Sequence, residues 1–333
     1  MTDVASTTGV IPQTRREAFF SNLPAGWGTA ASVAGAWIVL ILASGMHRAD
    51  FLSHQTVLAI TFTMAIVGVL AVAQALVGIS GGILDLSQPT GVILAASVVA
   101  FLLDLGLPTP VVVVGGILTG AAWGSLNALI IVTGKLNPII VTLGTNFIGQ
   151  AVMFLVFQTA QAPINSGLVG FGRGYFLGLP DIWWPMALLV LLVGFLLPRT
   201  AYGRHVIAVG GNRAAAQARG ISLKTTRFGV FTSAGAVIGL AGVLFASSNG
   251  PFSPTAGSTF QLPVIAAVIL AGVSLAGGRG SIWLILLSVG FLSTVPTALV
   301  FFGFSSNWQA VFQGLILVIA VAIDGWRGRR QQR

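Results

Sequence analysis

The residue with the most chemistry to offer is an acid in apolar surroundings. Asp85 sits in Gly81-Gly82-Ile83-Leu84-Asp85-Leu86-Ser87-Gln88-Pro89, between two long apolar runs. A carboxylate held there accepts strong hydrogen bonds or attracts a cation. Inside a bilayer it costs a few kcal/mol or more, so by default it marks a functional place. Gly81 and Gly82 ahead of it and Pro89 behind it interrupt a helix, because glycine lacks side-chain restraint and proline removes a backbone donor. Broken helices are tolerated within membranes where they line a cavity, and there they expose backbone dipoles to a solute. Gly81, Gly82, Asp85 and Ser87 are therefore candidates for a pathway or gate. The competing reading is a helix cap at the membrane interface.

Polar residues in the apolar run 138–159 form a second candidate. Thr142, Thr145 and Asn146 recur at spacings of three and four, near one helix face, with Gln150 further along. Such groups need partners at low dielectric. The hydroxyls of a sugar would supply them, and so would a neighbouring helix. Asn127, in the run 110–132, carries the same two readings. A second glycine-interrupted element, Gly272-Val273-Ser274-Leu275-Ala276-Gly277-Gly278-Arg279-Gly280, faintly echoes the first. Broken segments in corresponding places of two halves point to a central binding region in transporters, and Ser274 joins the candidates on that ground. Arg279 also reads as a plain topology determinant.

Enzyme chemistry is not encoded in any recognisable pattern. Gly134-Lys135 is followed by Leu136 and lacks the first glycine of a P-loop, so ATP binding of that kind is not expected. His47, His54 and His205 are scattered, no cysteine is present, and neither a metal site nor a cofactor is expected. Gly116, Gly120 and Gly124 repeat every four residues, as do Gly235 and Gly239. Stripes of this kind let helix backbones approach closely and read as packing.

The elements that must position these residues are long and apolar. The 333 residues are 55% hydrophobic and only 7% charged, with mean hydropathy +0.95, where a soluble domain carries about a quarter charged residues. The excess apolar surface faces lipid. A spanning helix takes about 20 apolar residues. Such runs fall at 27–45, 56–79, 90–103, 110–132, 138–159, 182–197, 228–247, 263–276, 281–302 and 307–323. Continuous runs such as Met186 to Leu197 exclude an alternating β-barrel. The expected fold is an all-α polytopic bundle of about ten spans with broken or re-entrant segments. Its first helix is retained, since no small-residue cleavage pattern follows.

With both termini cytoplasmic, 14 of the 16 basic residues fall on the inside, and only Arg48 and Arg173 lie outside. That is the bias expected of cytoplasmic segments. The division is a tail 1–26, a permease-like membrane domain 27–326 and a tail 327–333. The inside loop 198–227 holds six basic residues and no acid. The basic residues are spread between apolar runs, not gathered in a stripe, so nucleic acid is not an expected partner.

Read together, these motifs resemble the permeases of bacterial ribose-type monosaccharide importers of the ATP-binding-cassette class. The broader family includes branched-chain amino-acid and nucleoside permeases. The resemblance spans about Leu70 to Trp326. It rests on the Gly81–Ser87 segment, Pro138-Ile139-Ile140-Val141-Thr142-Leu143-Gly144, Thr200-Ala201-Tyr202-Gly203-Arg204 and Ala208-Val209-Gly210-Gly211-Asn212. Ala214-Ala215, Gly220-Ile221, Ile265-Ala266-Ala267 and Gly272–Gly280 complete it in order. The resemblance implies a permease pair, cytoplasmic ATPase subunits, an extracytoplasmic solute-binding protein and a bacterial inner-membrane location. It also implies that the inside loop meets the ATPase, through Arg199, Gly203, Arg204, Gly210, Gly211, Asn212, Ala215, Gly220 and Ile221. One departure stands out: the family pattern is Gly-Gly-Ile-Asp-Leu-Ser, whereas here Leu84 is inserted before Asp85, a rotation of about 100° were the segment helical. Two rival classes are an ion-coupled transporter using Asp85 and a membrane scaffold or receptor without transport.

Overall fold

The computed structural model describes residues 27–81, 83–156, 167–249, 251–274 and 276–331. Gly82, Leu275 and the tail 1–26 lie outside them. Each of the ten apolar runs becomes a helix. They are α1 (Trp27–His47), α2 (His54–Ile79), α3 (Gln88–Asp104), α4 (Thr109–Gly134), α5 (Pro138–Val156), α7 (Trp183–Arg199), α10 (Leu223–Ser248), α11 (Gln261–Leu270), α12 (Trp283–Phe301) and α13 (Ser306–Gln331). Three shorter helices join them: α6 (Gly167–Arg173), α8 (Ala201–Gly211) and α9 (Arg213–Ala218). A two-residue hairpin, β1 (Tyr175–Phe176) and β2 (Leu179–Pro180), precedes α7.

Among the described residues six helices (α1, α2, α4, α5, α10 and α12) are long and apolar enough to cross a membrane. α7 joins α8 across a 76° bend, while α3 and the apolar parts of α11 and α13 are shorter. The fold is thus an all-α membrane bundle in which several of the apolar runs are not full-length spans. The bend after α7 has a local cause. Thr200 caps α8 by accepting a hydrogen bond from Gly203 N at 3.1 Å. A side chain on Gly203 would collide with the Leu197 carbonyl, so the chain turns there only with glycine.

The core is organised around two contacts. α2 is buried on every side from Met64 to Ile79, which is why its sequence shows no polar face. α4 and α10 cross backbone to backbone through the two glycine stripes. A Cβ on Gly124 would stand 2.9 Å from Gly235 Cα, one on Gly235 3.0 Å from Gly124 N, and one on Gly120 would strike the Gly235 carbonyl. Both stripes belong to one interface, and only hydrogen fits between them.

Gly124→Ala should therefore destabilise the bundle by about 1–3 kcal/mol, the usual range for an overfilled core. Gly144→Ala, whose Cβ would have no neighbour within 4 Å, should leave stability intact. Thermal unfolding in detergent compares the two; equal midpoints would mean the stripes do not hold the bundle.

Candidate functional site

The chain between α2 and α3 is not helical from Ile83 to Ser87. Its burial alternates residue by residue. Ile83, Asp85 and Ser87 are buried, whereas Leu84 and Leu86 are half-buried and pack beside Ile265 and Ile269 of α11 and Leu317 and Ala320 of α13. The inserted Leu84 therefore does not rotate Asp85 about a helix. It takes the opposite face, and Asp85 and Ser87 stay together.

Each buried group on the inner face is spoken for. Asp85 Oδ1 accepts from Ser87 N at 2.8 Å and from Ser87 Oγ at 2.7 Å, an Asx turn that closes the break ahead of α3. Ser87 Oγ also accepts from Asn127 Nδ2 at 3.0 Å and Trp123 Nε1 at 3.2 Å, which exhausts a hydroxyl with one donor and two lone pairs. Asn127 Oδ1 accepts from Thr145 Oγ1 at 2.6 Å. Thr142 Oγ1 accepts from Leu86 N at 3.1 Å, and Asn146 Oδ1 from Thr90 Oγ1 at 2.9 Å. On the other side the Gln74 carboxamide of α2, with its oxygen on Asp85 N and its nitrogen on Asp85 O, lies 3.1 Å from each. In that orientation the Gln74 nitrogen stands 2.8 Å from the Gln88 carboxamide.

These partners fix the depth of the break. Trp123 and Asn127 stand near the middle of α4, Thr145 and Asn146 near the middle of α5. The segment therefore lies well inside the bundle. Asp85 braces Ser87, the residue ahead of α3. The oxygens of Thr142, Thr145 and Asn146 all bond protein groups, while Thr145 also borders a cavity between α3, α4 and α5.

Gln74 and Trp123 were not anticipated from the sequence. Gln74 had a weak signal, a lone amide in an unbroken apolar run. Trp123 had none, because its ring lies in a slot that two other helices make. A Cβ on Gly91 of α3 would stand 2.9 Å from Trp123 Cδ1, and one on Gly149 of α5 2.6 Å from Trp123 Cη2. The two glycines admit the indole between helices, where its N–H reaches Ser87.

The second glycine element closes on itself through Ser274, whose N donates to Arg279 O at 3.0 Å and whose Oγ accepts from Ala276 N at 3.1 Å. Gly272, Gly277 and Gly278 have φ of 77°, 88° and 72°, the left-handed region open to glycine. Gly278 N donates to Ile79 O at 2.8 Å, so the two breaks touch. The α8–α9 junction meets them at the same point. A side chain on Gly210 would collide with Ile79 O and stand 2.7 Å from Gly278 N, and Arg213 Nη2 donates to Gly81 O at 3.3 Å.

The other residues of the basic loop build its shape. Asn212 caps α9 by accepting from Ala215 N at 3.0 Å. Gly220, at φ 79°, ends α9, and Ile221 N returns to Ala216 O at 3.0 Å. Arg204 Nη1 donates to Arg199 O at 2.6 Å, and the Arg199 guanidinium lies 4.0 Å from the Phe195 ring centre. Gly211 differs from Gly210: a Cβ there would meet nothing within 4 Å. Among the described residues no three His, Cys, Asp or Glu side chains gather as a metal site.

A membrane bundle broken at depth by a hydrogen-bonded non-helical segment, with a basic helix pair seated against the break, has the build of a transport permease. The chain belongs to the family of branched-chain amino acid transport system / permease components, whose model matches residues 56–321. It is 36% identical over 295 residues to the ribose import permease protein RbsC of Bacillus subtilis, covering 87% of this chain and 90% of that one. It is 30% identical over 303 residues to the ribose import permease protein RbsC of Haemophilus influenzae, covering 89% and 93%. Against the fructose import permease protein FrcC of Rhizobium meliloti the identity is 34% over 288 residues, covering 83% and 79%. No solved structure matches the chain.

Asp85→Ala would leave the buried Ser87 N–H and hydroxyl without their acceptor, a loss of about 1–3 kcal/mol. Asp85→Asn keeps an oxygen in place and should lose clearly less. Thermal midpoints of the two variants check this, and equal stability would mean that Asp85 does not brace the break.

Proposed function

We propose that this chain is the membrane-spanning subunit of an ATP-driven importer that carries a monosaccharide or similar small polar solute into the cell. One observation carries the mechanism: both breaks and the basic α8–α9 junction meet around Ile79 O. The solute class follows the ribose and fructose permeases to which the chain is similar. In this reading the inside loop faces the cytoplasm, as its positive charge favours, and both termini lie on that side. The partners are a cytoplasmic ATPase of the ATP-binding-cassette class, an extracytoplasmic solute-binding protein and a second permease subunit. ATP hydrolysis takes place on the partner, and this chain performs no covalent chemistry.

The mechanism is mechanical. An ATPase that moves α8 and α9 moves Gly210 and Arg213, and these bear on Ile79, Gly81 and Gly278. The force arrives at the C-terminal end of α2 and the segment leading into α3, where non-helical backbone changes conformation more easily than a helix. Gly81, Gly82, Asp85, Ser87, Asn127, Thr142, Asn146 and Ser274 border or brace the route in this reading. The ion-coupled alternative relies on Asp85, whose Oδ1 is already committed to Ser87.

Purified permease, ATPase and binding protein in liposomes should take up ribose or fructose with ATP and not with an imposed ion gradient; the reverse dependence would sink the proposal. Gly210→Leu should abolish uptake and stimulated ATPase activity while the ATPase still binds. Gly211→Leu, whose Cβ would enter open space, should act mainly by weakening the ATPase association. If Gly210→Leu transports normally, the junction is not the coupling element.

The extended break makes a second outcome testable in this cysteine-free chain. Cysteine at Leu84 and Leu86 should react with small water-soluble thiol reagents in at least one transport state. Cysteine at Ser87 should stay protected until solute and ATP open the segment. Uniform inertness across the transport cycle would place all three positions off the route.

A further inference from the structure

One peptide unit in the break is held from two sides. The Asp85 carbonyl and the Leu86 N–H belong to the same planar group, which turns as a whole. The Gln74 nitrogen of α2 donates to that carbonyl at 3.1 Å, and Asp85 N returns a bond to the Gln74 oxygen at the same distance. The Leu86 N–H donates to Thr142 Oγ1 of α5 at 3.1 Å. Further on, Ser87 O accepts from Trp123 Nε1 of α4, and Thr90 N donates to Asn146 Oδ1 of α5. Along residues 85–90, the ties that neighbouring helices make to the backbone therefore change hands inside a single peptide. Ahead of the Leu86 N–H they come from α2, and from it onward they come from α4 and α5. The Gln88 side chain crosses back to Gln74, but through rotatable bonds that let it follow either side.

The two sides also differ in what else they touch. α4 is held against α10 by the glycine seam. α2 carries the junction, because Ile79 O takes Gly278 N and stands against Gly210. Gln74 lies five residues before Ile79 on the same helix, a distance of about 7.5 Å. A push on Ile79 thus reaches Gln74 through rigid helix. It does not have to pass along the chain from Ser80 to Leu84. A shift of α2 against α4 and α5 pulls the two ends of the Asp85–Leu86 peptide towards different helices. The peptide must then turn or release one tie. The dihedrals of Asp85 and Leu86 absorb the change, and neither residue is helical.

We propose that Gln74 is a positioning residue for transport, carrying the motion of α2 to the Asp85–Leu86 peptide, and that this peptide is the pivot on which the break opens. The inference rests on the import function proposed above and adds to it the element that joins the Ile79 junction to the route. Gln74 is wholly buried, so it acts through the backbone it clasps and not by touching solute.

The test measures ribose uptake and stimulated ATP hydrolysis on the same liposomes, loaded with permease, ATPase and binding protein. A native complex without ATP-driven uptake would overturn the import function and this inference with it. Given native uptake, Gln74→Met, of equal length, should lower the ribose carried per ATP several-fold while hydrolysis stays near native, since the junction is untouched. Gln74→Glu should restore the ratio. Held neutral by burial, its carboxyl offers an oxygen to Asp85 N and an O–H to Asp85 O. Thr142→Val frees the other end of the peptide and should also lower the ratio. The double variant Gln74→Met with Thr142→Val should fall no further than the worse single one, because both act on one group. Should Gln74→Met insert poorly, Gln74→Asn, whose amide falls a methylene short, is read in the same way. A native ratio in the Gln74 variant overturns the proposal, as does a parallel fall of uptake and hydrolysis, which would make the residue a fold support. Losses that multiply in the double variant overturn it too.

Discussion

Non-helical backbone inside a bilayer has no water to bond to, and an unsatisfied N–H or C=O there costs several kcal/mol. The Ile83–Ser87 segment meets this demand with side chains from three helices. Thr142 takes Leu86 N, Trp123 reaches Ser87 O, and Gln74 serves both backbone groups of Asp85. Those helices must then stand close enough to deliver the bonds. The glycine seam of α4 and α10, the glycine slot around Trp123 and the all-round burial of α2 all serve that approach.

This demand also explains where the polar residues went. Amides and hydroxyls at depth are costly unless paired, and a broken segment multiplies the groups that need pairing. Asn127, Thr142, Thr145 and Asn146 are engaged in bracing backbone and one another. A solute passing the break would meet the side turned the other way, where Leu84 and Leu86 lie against α11 and α13. Changing that face means changing the non-helical segment itself, which bends without breaking a helical hydrogen-bond ladder.

The junction at Ile79 has a different character. Gly210 and Gly278 approach it backbone to backbone, with no flexible side chain between, and Gly278 N holds Ile79 O directly. Backbone contacts transmit displacement with little slack, because packed interiors are close to incompressible. Arg213 adds a longer, softer tie to Gly81. A rigid contact beside a deformable segment is the arrangement a mechanical coupling needs.

The sequence by itself determined the solvent and the class. Too few charges to cover a soluble particle, ten apolar runs and paired glycines ahead of an acid are properties of composition and local order. The glycine stripes were likewise legible as packing surfaces, since a four-residue period places them on one face of a helix. What the sequence did not hold was the pairing: that Gly120 and Gly124 face Gly235, that Trp123 of α4 enters a slot made by α3 and α5, that Gly210 meets Ile79 while a Cβ on Gly211 would point into open space. Nor did it tell that the segment around Asp85 is not helical, so that Leu84 occupies the opposite face instead of turning the acid by a helical step. Those facts rest on residues tens or hundreds of positions apart brought within bonding distance. Local propensity carries no record of them, and only the packed structure decides them.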